Sequence, residues 1–149
     1  MRIGVLMFEI KKTQSCLGAY IEGLDLSKSF SEKTLGELKN ALSDNEVLFF
    51  RNQNITHEDH KRLASAFGLM QSHPAYPTID GFPEITILEN DEENPSKIEE
   101  WHTDMTFKKN PPLGSILIGK IIPETGGDTM FSSLSKAYDD LSHEWKERL

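Results

Sequence analysis

Hydrophobic residues recur at helical spacing in two stretches of the first half of the chain. The apolar face of the first stretch consists of Leu35, Leu38, Ala41 and Leu42. Ser29 or Ser31 can cap the start of this helix. A second helix is predicted between Thr56, which can cap it together with Asp59, and Gly68, which can end it. Both stretches therefore predict amphipathic helices with defined starts.

Short apolar runs lie between and after these helices and are typical of β-strands. They cover residues 47–50, 84–88 and 113–122. After them, Gly126 and Gly127 predict a turn, and residues 137–141 have a helical pattern that can restart at Ser142. The mixed order predicts an α+β fold whose later strands must pair with another part of the protein.

Composition favours a single soluble domain. The chain has 149 residues, a net charge of −8 and a pI near 5.1, and 37% of its residues are hydrophobic. Such an acidic chain is a poor partner for nucleic acid or an anionic membrane surface. No apolar run approaches the ~20 residues of a membrane span, and the apolar start is shorter than a secretory signal. The lone Cys16 fits a reducing compartment, so we expect a cytoplasmic protein.

One acidic run, residues 89–100, stands out from the rest of the chain. It lacks apolar periodicity and contains Asn90, Asn94 and Pro95, so it predicts an exposed loop. Such a loop is either a solvated surface or a segment beside an active site.

A candidate metal site follows the acidic run directly. In residues 101–107 (WHTDMTF), His102 and Asp104 would share one face if the segment were extended, because side chains alternate along a strand. The apolar side chains of the segment would share the other face and could pack into a core: Trp101, Met105 and Phe107. Histidine with a carboxylate suits Fe(II), Mn(II) or Zn(II). The alternative is a hydrogen-bonded pair in a half-buried strand. The same pattern at His57 and Asp59 lies at a predicted helix start and is expected to be structural.

The remaining histidines differ in their surroundings. His60 and His143 are expected on helix surfaces. Pro74 follows His73 and Pro77 follows Tyr76, so a stiff loop presents an imidazole and a phenol, either for packing or for binding. Neither a nucleophilic cysteine nor a Gly-rich phosphate loop is indicated.

Several segments together resemble one known family. They are residues 18–21, 23–26, 47–53, 67–68, 73–76, 101–107, 111–112 and 125–129. In this order they resemble the taurine dioxygenase (TauD/TfdA) family of Fe(II)- and 2-oxoglutarate-dependent dioxygenases, over about residues 9–149. The resemblance implies a double-stranded β-helix (jelly roll) with flanking helices, of which this chain would form a part.

The resemblance also implies roles for individual residues. His102 and Asp104 would be two ligands of a 2-His-1-carboxylate Fe(II) site. Thr129 would help to hold the distal carboxylate of 2-oxoglutarate, while His73 and Tyr76 would line the substrate pocket. The co-substrates would be 2-oxoglutarate and O₂, and the product would be a hydroxylated small organic acid such as a sulfonate.

Two positions depart from the family pattern. Taurine-specific members carry an asparagine where this chain has Ile98, so another sulfonate, a carboxylate or a sulfate ester fits equally well. The family's third ligand, a histidine, and its 2-oxoglutarate-binding arginine lie far downstream, and His143 and Arg148 do not match them. Residues 1–149 therefore resemble the N-terminal portion of a single dioxygenase domain.

The main functional prediction is a dioxygenase truncated before its distal histidine and arginine. Its partners would be a small-molecule substrate and O₂, and the full-length form would be a homo-oligomer. The alternative is a catalytically incomplete metal-binding remnant, or a subunit completed by another chain. A cupin-like Zn or Mn protein would share the jelly roll but not the Gly-Gly-Asp-Thr segment.

Overall fold

The structure is a computed structural model that describes residues 8–74, 76–91, 93–95, 98 and 100–149. Its elements in chain order are β1 (Glu9–Lys12), β2 (Ala19–Glu22), α1 (Glu32–Asn45), β3 (Leu48–Phe49), α2 (His57–Phe67), β4 (Thr78–Ile79), β5 (Phe82–Thr86), α3 (Leu134–Asp139) and α4 (His143–Lys146). They form two compact units, one made of Met1–Gln53 with Gly119–Leu149 and the other of Asn54–Ile118. Helices and strands both occur, as predicted.

The first unit contains a three-stranded sheet in the order β1-β2-β3. Strand β2 pairs antiparallel with β1 and parallel with β3, so that Ala19 lies opposite both Lys12 and Leu48. Gly18 precedes β2 with φ of +92°, and a Cβ there would lie 3.0 Å from the Phe49 ring. Only glycine tolerates both that conformation and that approach. The sequence patterns had not predicted β1 or β2.

Helix α1 begins as the sequence predicts, and Ser31 rather than Ser29 is its cap. The Ser31 side chain accepts a hydrogen bond from the Thr34 amide. Leu38 and Ala41 are 1% and 3% exposed and form part of the core. The buried Asn45 side chain donates to the Ala41 carbonyl at 2.8 Å, so its amide is satisfied inside the helix end.

Two short helices near the end of the chain also follow the sequence prediction. Ser133 caps α3 and Ser142 caps α4. The Ser133 hydroxyl donates to Glu46 Oε1 at 2.8 Å, which ties the start of α3 to the residue after α1. Ser133 is 7% exposed, so this bond lies inside the first unit.

The second unit is built from α2 and the β4–β5 hairpin. Thr56 and Asp59 form a capping box at the start of α2, and the helix ends at Gly68, both as predicted. Lys61 Nζ lies 3.0 Å from Glu84 Oε1 and therefore joins α2 to β5. This hydrogen bond from Lys61 lowers the pKa of Glu84 below its usual value.

The prediction of a strand over residues 113–122 is wrong. This segment is not a strand and pairs with no strand among the described residues. A strand is stable only when its backbone groups pair with a neighbour. Leu113 and Leu117 are 73% and 61% exposed. His60 Nε2 lies 3.0 Å from the Ile116 carbonyl, which is a side-chain contact from α2 to this segment.

The acidic segment 89–100 is an exposed loop where the structure describes it, as predicted. Positions 92, 96, 97 and 99 of this loop, position 75 of the His73/Tyr76 motif and the apolar start at residues 1–7 lie outside the described residues. Within the described part of the chain, no helix has the length and apolarity that a bilayer span requires.

Candidate metal centre

The segment that carries His102 and Asp104 is a turn rather than a strand. Residues 104–107 form the turn, and the Lys108 amide donates to the Met105 carbonyl at 3.1 Å. Met105 has φ of 57° and is 9% exposed. A residue in this left-handed conformation changes the direction of the chain. The side chains of residues 101–107 therefore do not alternate between two faces as the sequence prediction assumed.

Two aromatic side chains of this segment are consequently not buried. Trp101 and Phe107 are 67% and 75% exposed, although the alternating pattern predicted that both would pack into a core. That part of the prediction is wrong, and Met105 is the apolar residue of the segment that the structure does bury.

His102 and Asp104 nevertheless lie side by side. His102 Nε2 is 3.3 Å from Asp104 Oδ1, and their side chains are 52% and 65% exposed. The other ring nitrogen, Nδ1, lies 2.9 Å from the Glu100 carbonyl. Because a carbonyl only accepts hydrogen bonds, Nδ1 carries the proton in this contact and Nε2 faces the carboxylate.

This arrangement has the features of half a metal site. If two ligand atoms each lie ~2.1 Å from one metal ion, and their bonds meet at a right angle, the two atoms are ~3.0 Å apart. The distance of 3.3 Å between His102 Nε2 and Asp104 Oδ1 is close to this value. A ligating histidine also normally donates its second N–H to a carbonyl or carboxylate. Among the described residues, however, no group of three or more His, Cys, Asp or Glu side chains converges. The pair therefore fits as two ligands of a larger set.

The rings of His73 and Tyr76 lie in contact, which the sequence had not predicted. Their ring centroids are 4.7 Å apart with an angle of 49° between the planes. Tyr76 is 38% exposed, so its ring is available to a ligand. Thr129 is exposed in the first unit; its role stays a prediction.

The second His-x-Asp pattern is structural, as predicted. The Asp59 carboxylate accepts hydrogen bonds from the Thr56 amide at 3.0 Å and from Arg62 at 2.5 Å. These bonds, the Thr56 amide first, lower the pKa of Asp59 to about 2. The His57 ring contacts the Phe82 ring, with centroids 5.5 Å apart. His57 and Asp59 thus serve helix start and packing.

The other histidines give one correction and one confirmation. His60 is half-buried and bonded to the Ile116 carbonyl, so the prediction that it lies on the helix surface is wrong. The reason is a contact with a segment 56 residues away, which helix periodicity does not reveal. His143 is 88% exposed and pairs with Glu147 one turn on. Arg148 pairs with Glu144 at 2.6 Å, also within the last turns.

Sequence reasoning missed a contact beside the candidate site. Gln71, two residues before His73, accepts a hydrogen bond from Lys108 Nζ at 2.8 Å. It also donates from Nε2 to the Asn110 carbonyl at 3.3 Å. No local signal announces a pair of residues 37 positions apart.

Comparison with known proteins identifies the family. The model of the family described as Taurine catabolism dioxygenase TauD, TfdA family matches residues 9–149. The chain belongs to the TauD/TfdA family. The resemblance of its motifs is thereby confirmed, and the family is one of dioxygenases.

Two curated relatives within this family carry sulfur-related names. An alkylsulfatase of Acinetobacter baylyi is 38% identical over 134 residues, which are 89% of this chain and 42% of that protein. An alpha-ketoglutarate-dependent sulfate ester dioxygenase of Pseudomonas putida is 30% identical, over 95% of this chain and 47% of that protein. The chain spans less than half the length of these two relatives.

Solved structures of the TauD/TfdA type have the same fold over the matched region. A taurine dioxygenase from Burkholderia xenovorans is 33% identical, with a TM-score of 0.82, and the match covers 95% of this chain and 50% of that one. A putative alpha-ketoglutarate-dependent taurine dioxygenase from the same organism has a TM-score of 0.81 at 34% identity. The mixed α and β content agrees with these neighbours.

Proposed function

We propose that residues 1–149 are the N-terminal portion of a single dioxygenase domain that hydroxylates a small organic acid with Fe(II), 2-oxoglutarate and O₂. The observation that carries the proposal is the approach of His102 Nε2 to Asp104 Oδ1 at 3.3 Å, with Nδ1 on the Glu100 carbonyl. A mixed nitrogen and oxygen donor pair suits Fe(II). The match to the family over residues 9–149 supports the same chemistry.

The fold part of the proposal is a partial double-stranded β-helix with flanking helices. The TM-score of 0.82 over half of a taurine dioxygenase supports it. In the complete domain, the residues beyond those matched here would supply the third iron ligand, a histidine, and the arginine that binds 2-oxoglutarate.

Each candidate residue has a distinct task in this mechanism. His102 and Asp104 would hold the iron, and the Nδ1–H bond to Glu100 would fix the orientation of the imidazole. Iron held by these residues would supply the coupling between oxidative decarboxylation of 2-oxoglutarate and oxygenation of the substrate. Thr129 would donate a hydrogen bond from its hydroxyl to the distal carboxylate of 2-oxoglutarate. His73 and Tyr76 would contact the substrate.

Among small organic acids, the proposal favours an alkyl sulfate ester over taurine. The two relatives described above have names that refer to alkyl sulfate or sulfate ester chemistry. Ile98, where taurine-specific members have an asparagine, is 52% exposed and offers an apolar side chain instead of an amide. An apolar surface favours an alkyl group.

We further propose that the complete protein is a cytoplasmic homo-oligomer without nucleic-acid or membrane partners. The free Cys16 and the net charge of −8 support the compartment and the exclusion of polyanionic partners. The proposal of a homo-oligomer rests on the family resemblance.

A second function is a metal-binding remnant, or a subunit completed by another chain. It is favoured by the observation that no third ligand joins His102 and Asp104 within the described residues. Such a protein would hold Fe(II) weakly and would not bind 2-oxoglutarate through an arginine.

The two functions are separated by adding Fe(II) and 2-oxoglutarate, without oxygen, to the protein extended through whatever residues the coding sequence supplies beyond Leu149. A weak visible charge-transfer band, followed by succinate formation when O₂ is admitted, is the result expected of a working site. The band should be lost in Asp104→Ala and kept in His57→Ala, which alters the structural His-x-Asp pattern. If the extended protein gives neither band nor succinate, or if the reading frame beyond Leu149 supplies no histidine and arginine, the second function holds.

A further inference from the structure

A side-chain contact joins two loops of the second unit. Gln71 uses its carbonyl oxygen to accept a hydrogen bond from Lys108 Nζ at 2.8 Å. Its amide nitrogen donates to the Asn110 carbonyl at 3.3 Å. Gln71 therefore makes hydrogen bonds with both ends of its amide to one short segment, residues 108–110. We refer to Gln71 and Lys108 with these two bonds as the loop clamp.

The position of the loop clamp gives it a functional meaning. Gln71 lies two residues before His73, in the loop whose His73 and Tyr76 rings are in contact. Lys108 follows the turn that carries His102 and Asp104, and its own amide closes that turn on the Met105 carbonyl. The loop clamp thus connects the candidate substrate loop to the candidate metal segment.

The chemistry of the loop clamp makes it more than a surface contact. Lys108 is half-buried, and the acceptor for its ammonium group is a neutral amide oxygen. A hydrogen bond from a charged donor is stronger than one between neutral groups. Because both polar atoms of Gln71 are engaged, its amide has one orientation, and a rotated amide would lose both bonds.

We propose that Gln71 and Lys108 are positioning residues that hold the loop of His73 and Tyr76 in place relative to His102 and Asp104. The link to substrate binding rests on the function proposed above, whereas the mechanical connection of the two loops does not. Loss of the clamp would then weaken the binding of an anionic substrate and leave metal binding unchanged, because neither clamp residue is a candidate ligand.

The connection of the loops is tested by hydrogen exchange on the chain and on Gln71→Ala and Lys108→Met. Lys108→Met, which removes one hydrogen bond, should increase exchange about 2- to 10-fold in peptides from both loops, residues 69–79 and 101–112. Gln71→Ala, which removes both bonds of the clamp, should increase exchange in the same peptides at least as much. Lys109→Met is the matched control, since Lys109 is the exposed neighbour of Lys108 in the same segment. Lys108→Arg should restore protection. Loosening confined to the altered loop, or equal loosening in Lys109→Met, would overturn the proposal.

The functional part is tested on the protein extended through the residues encoded beyond Leu149, by calorimetric binding of two probes, Mn(II) alone and hexyl sulfate in the presence of Mn(II) and 2-oxoglutarate. Gln71→Ala should weaken hexyl sulfate binding about 2- to 10-fold and leave the Mn(II) dissociation constant within twofold. Unchanged hexyl sulfate binding in a variant with loosened loops would show that the clamp is merely structural. If the unaltered extended protein binds Mn(II) but not hexyl sulfate, the proposed substrate class fails, and hydrogen exchange alone decides the clamp.

Discussion

Replacing Thr56 by alanine tests how much the start of α2 contributes to the second unit. Thr56 Oγ1 accepts a hydrogen bond from the Asp59 amide at 3.1 Å and donates to Asp59 Oδ2 at 2.9 Å. Alanine removes both of these bonds. It keeps the bond from the residue 56 amide to Asp59 Oδ2, which is 3.0 Å long. Half of the reciprocal capping box therefore survives.

The size of the effect follows from the group that loses its partner. The Asp59 amide is in the first turn of α2, where no carbonyl of the helix can accept it. Loss of an N-cap side chain of this type costs about 1 kcal/mol. The second bond that alanine removes joins two exposed groups and adds little. With a urea dependence of about 2 kcal/mol per molar, the unfolding midpoint should fall by about 0.5 M.

The assay is equilibrium unfolding in urea followed by far-ultraviolet circular dichroism, with Thr56→Ser as the matched control. Serine keeps the oxygen that accepts from Asp59, so its midpoint should lie within about 0.1 M of the unaltered chain. The reasoning is refuted if alanine leaves the midpoint unchanged, or if serine lowers it as much as alanine does.

Three further predictions concern charge, core and metal. Since the pKa of Asp59 is lowered to about 2, its charge stabilises the fold above about pH 4 and this contribution is lost as the pH falls toward 2. Asp59→Asn should therefore be less stable than the unaltered chain at pH 6, and thermal melts of the two proteins should converge at pH 2; a constant difference would contradict this. Leu38→Ala, at the 1% exposed position of α1, should cost about 2–5 kcal/mol in urea unfolding. Leu35→Ala, on the half-buried side of the same helix, should cost clearly less, and equal losses would argue against the core position of Leu38. Asp104→Asn should weaken Mn(II) binding, followed by electron paramagnetic resonance, at least about 10-fold because an anionic ligand is lost, and unchanged affinity would remove Asp104 from the site.

The sequence predicted those parts of the fold that depend on neighbouring residues. The caps at Ser31, Thr56 and Ser142 each act on an amide three residues ahead, so their signal is entirely local. Strands β1 and β2 escaped prediction because they are short and partly polar. Their stability comes from each other and from β3, which lies beyond the whole of α1.

The candidate site was predicted in part for a geometric reason that the structure does not support. His102 and Asp104 are neighbours, but their segment is not an extended strand, and a turn begins at Asp104. Left-handed backbone is unusual for methionine, so the residue types of this segment did not indicate the conformation of Met105. The contacts of His60 and Gln71 join distant segments, and a single sequence carries no record of such pairs.

The discontinuity of the first unit has a consequence for the order of folding. Its two parts, Met1–Gln53 and Gly119–Leu149, meet in contacts such as Ser133 with Glu46, which are 87 residues apart. Closing so long a loop is slow, because chain entropy opposes the encounter. The second unit, Asn54–Ile118, is one continuous stretch and can form without waiting for that closure. If it folds first, it shortens the flexible chain between the two parts. Nascent chains would then gain protease protection around α2 and β5 before the bond between Ser133 and Glu46 has formed.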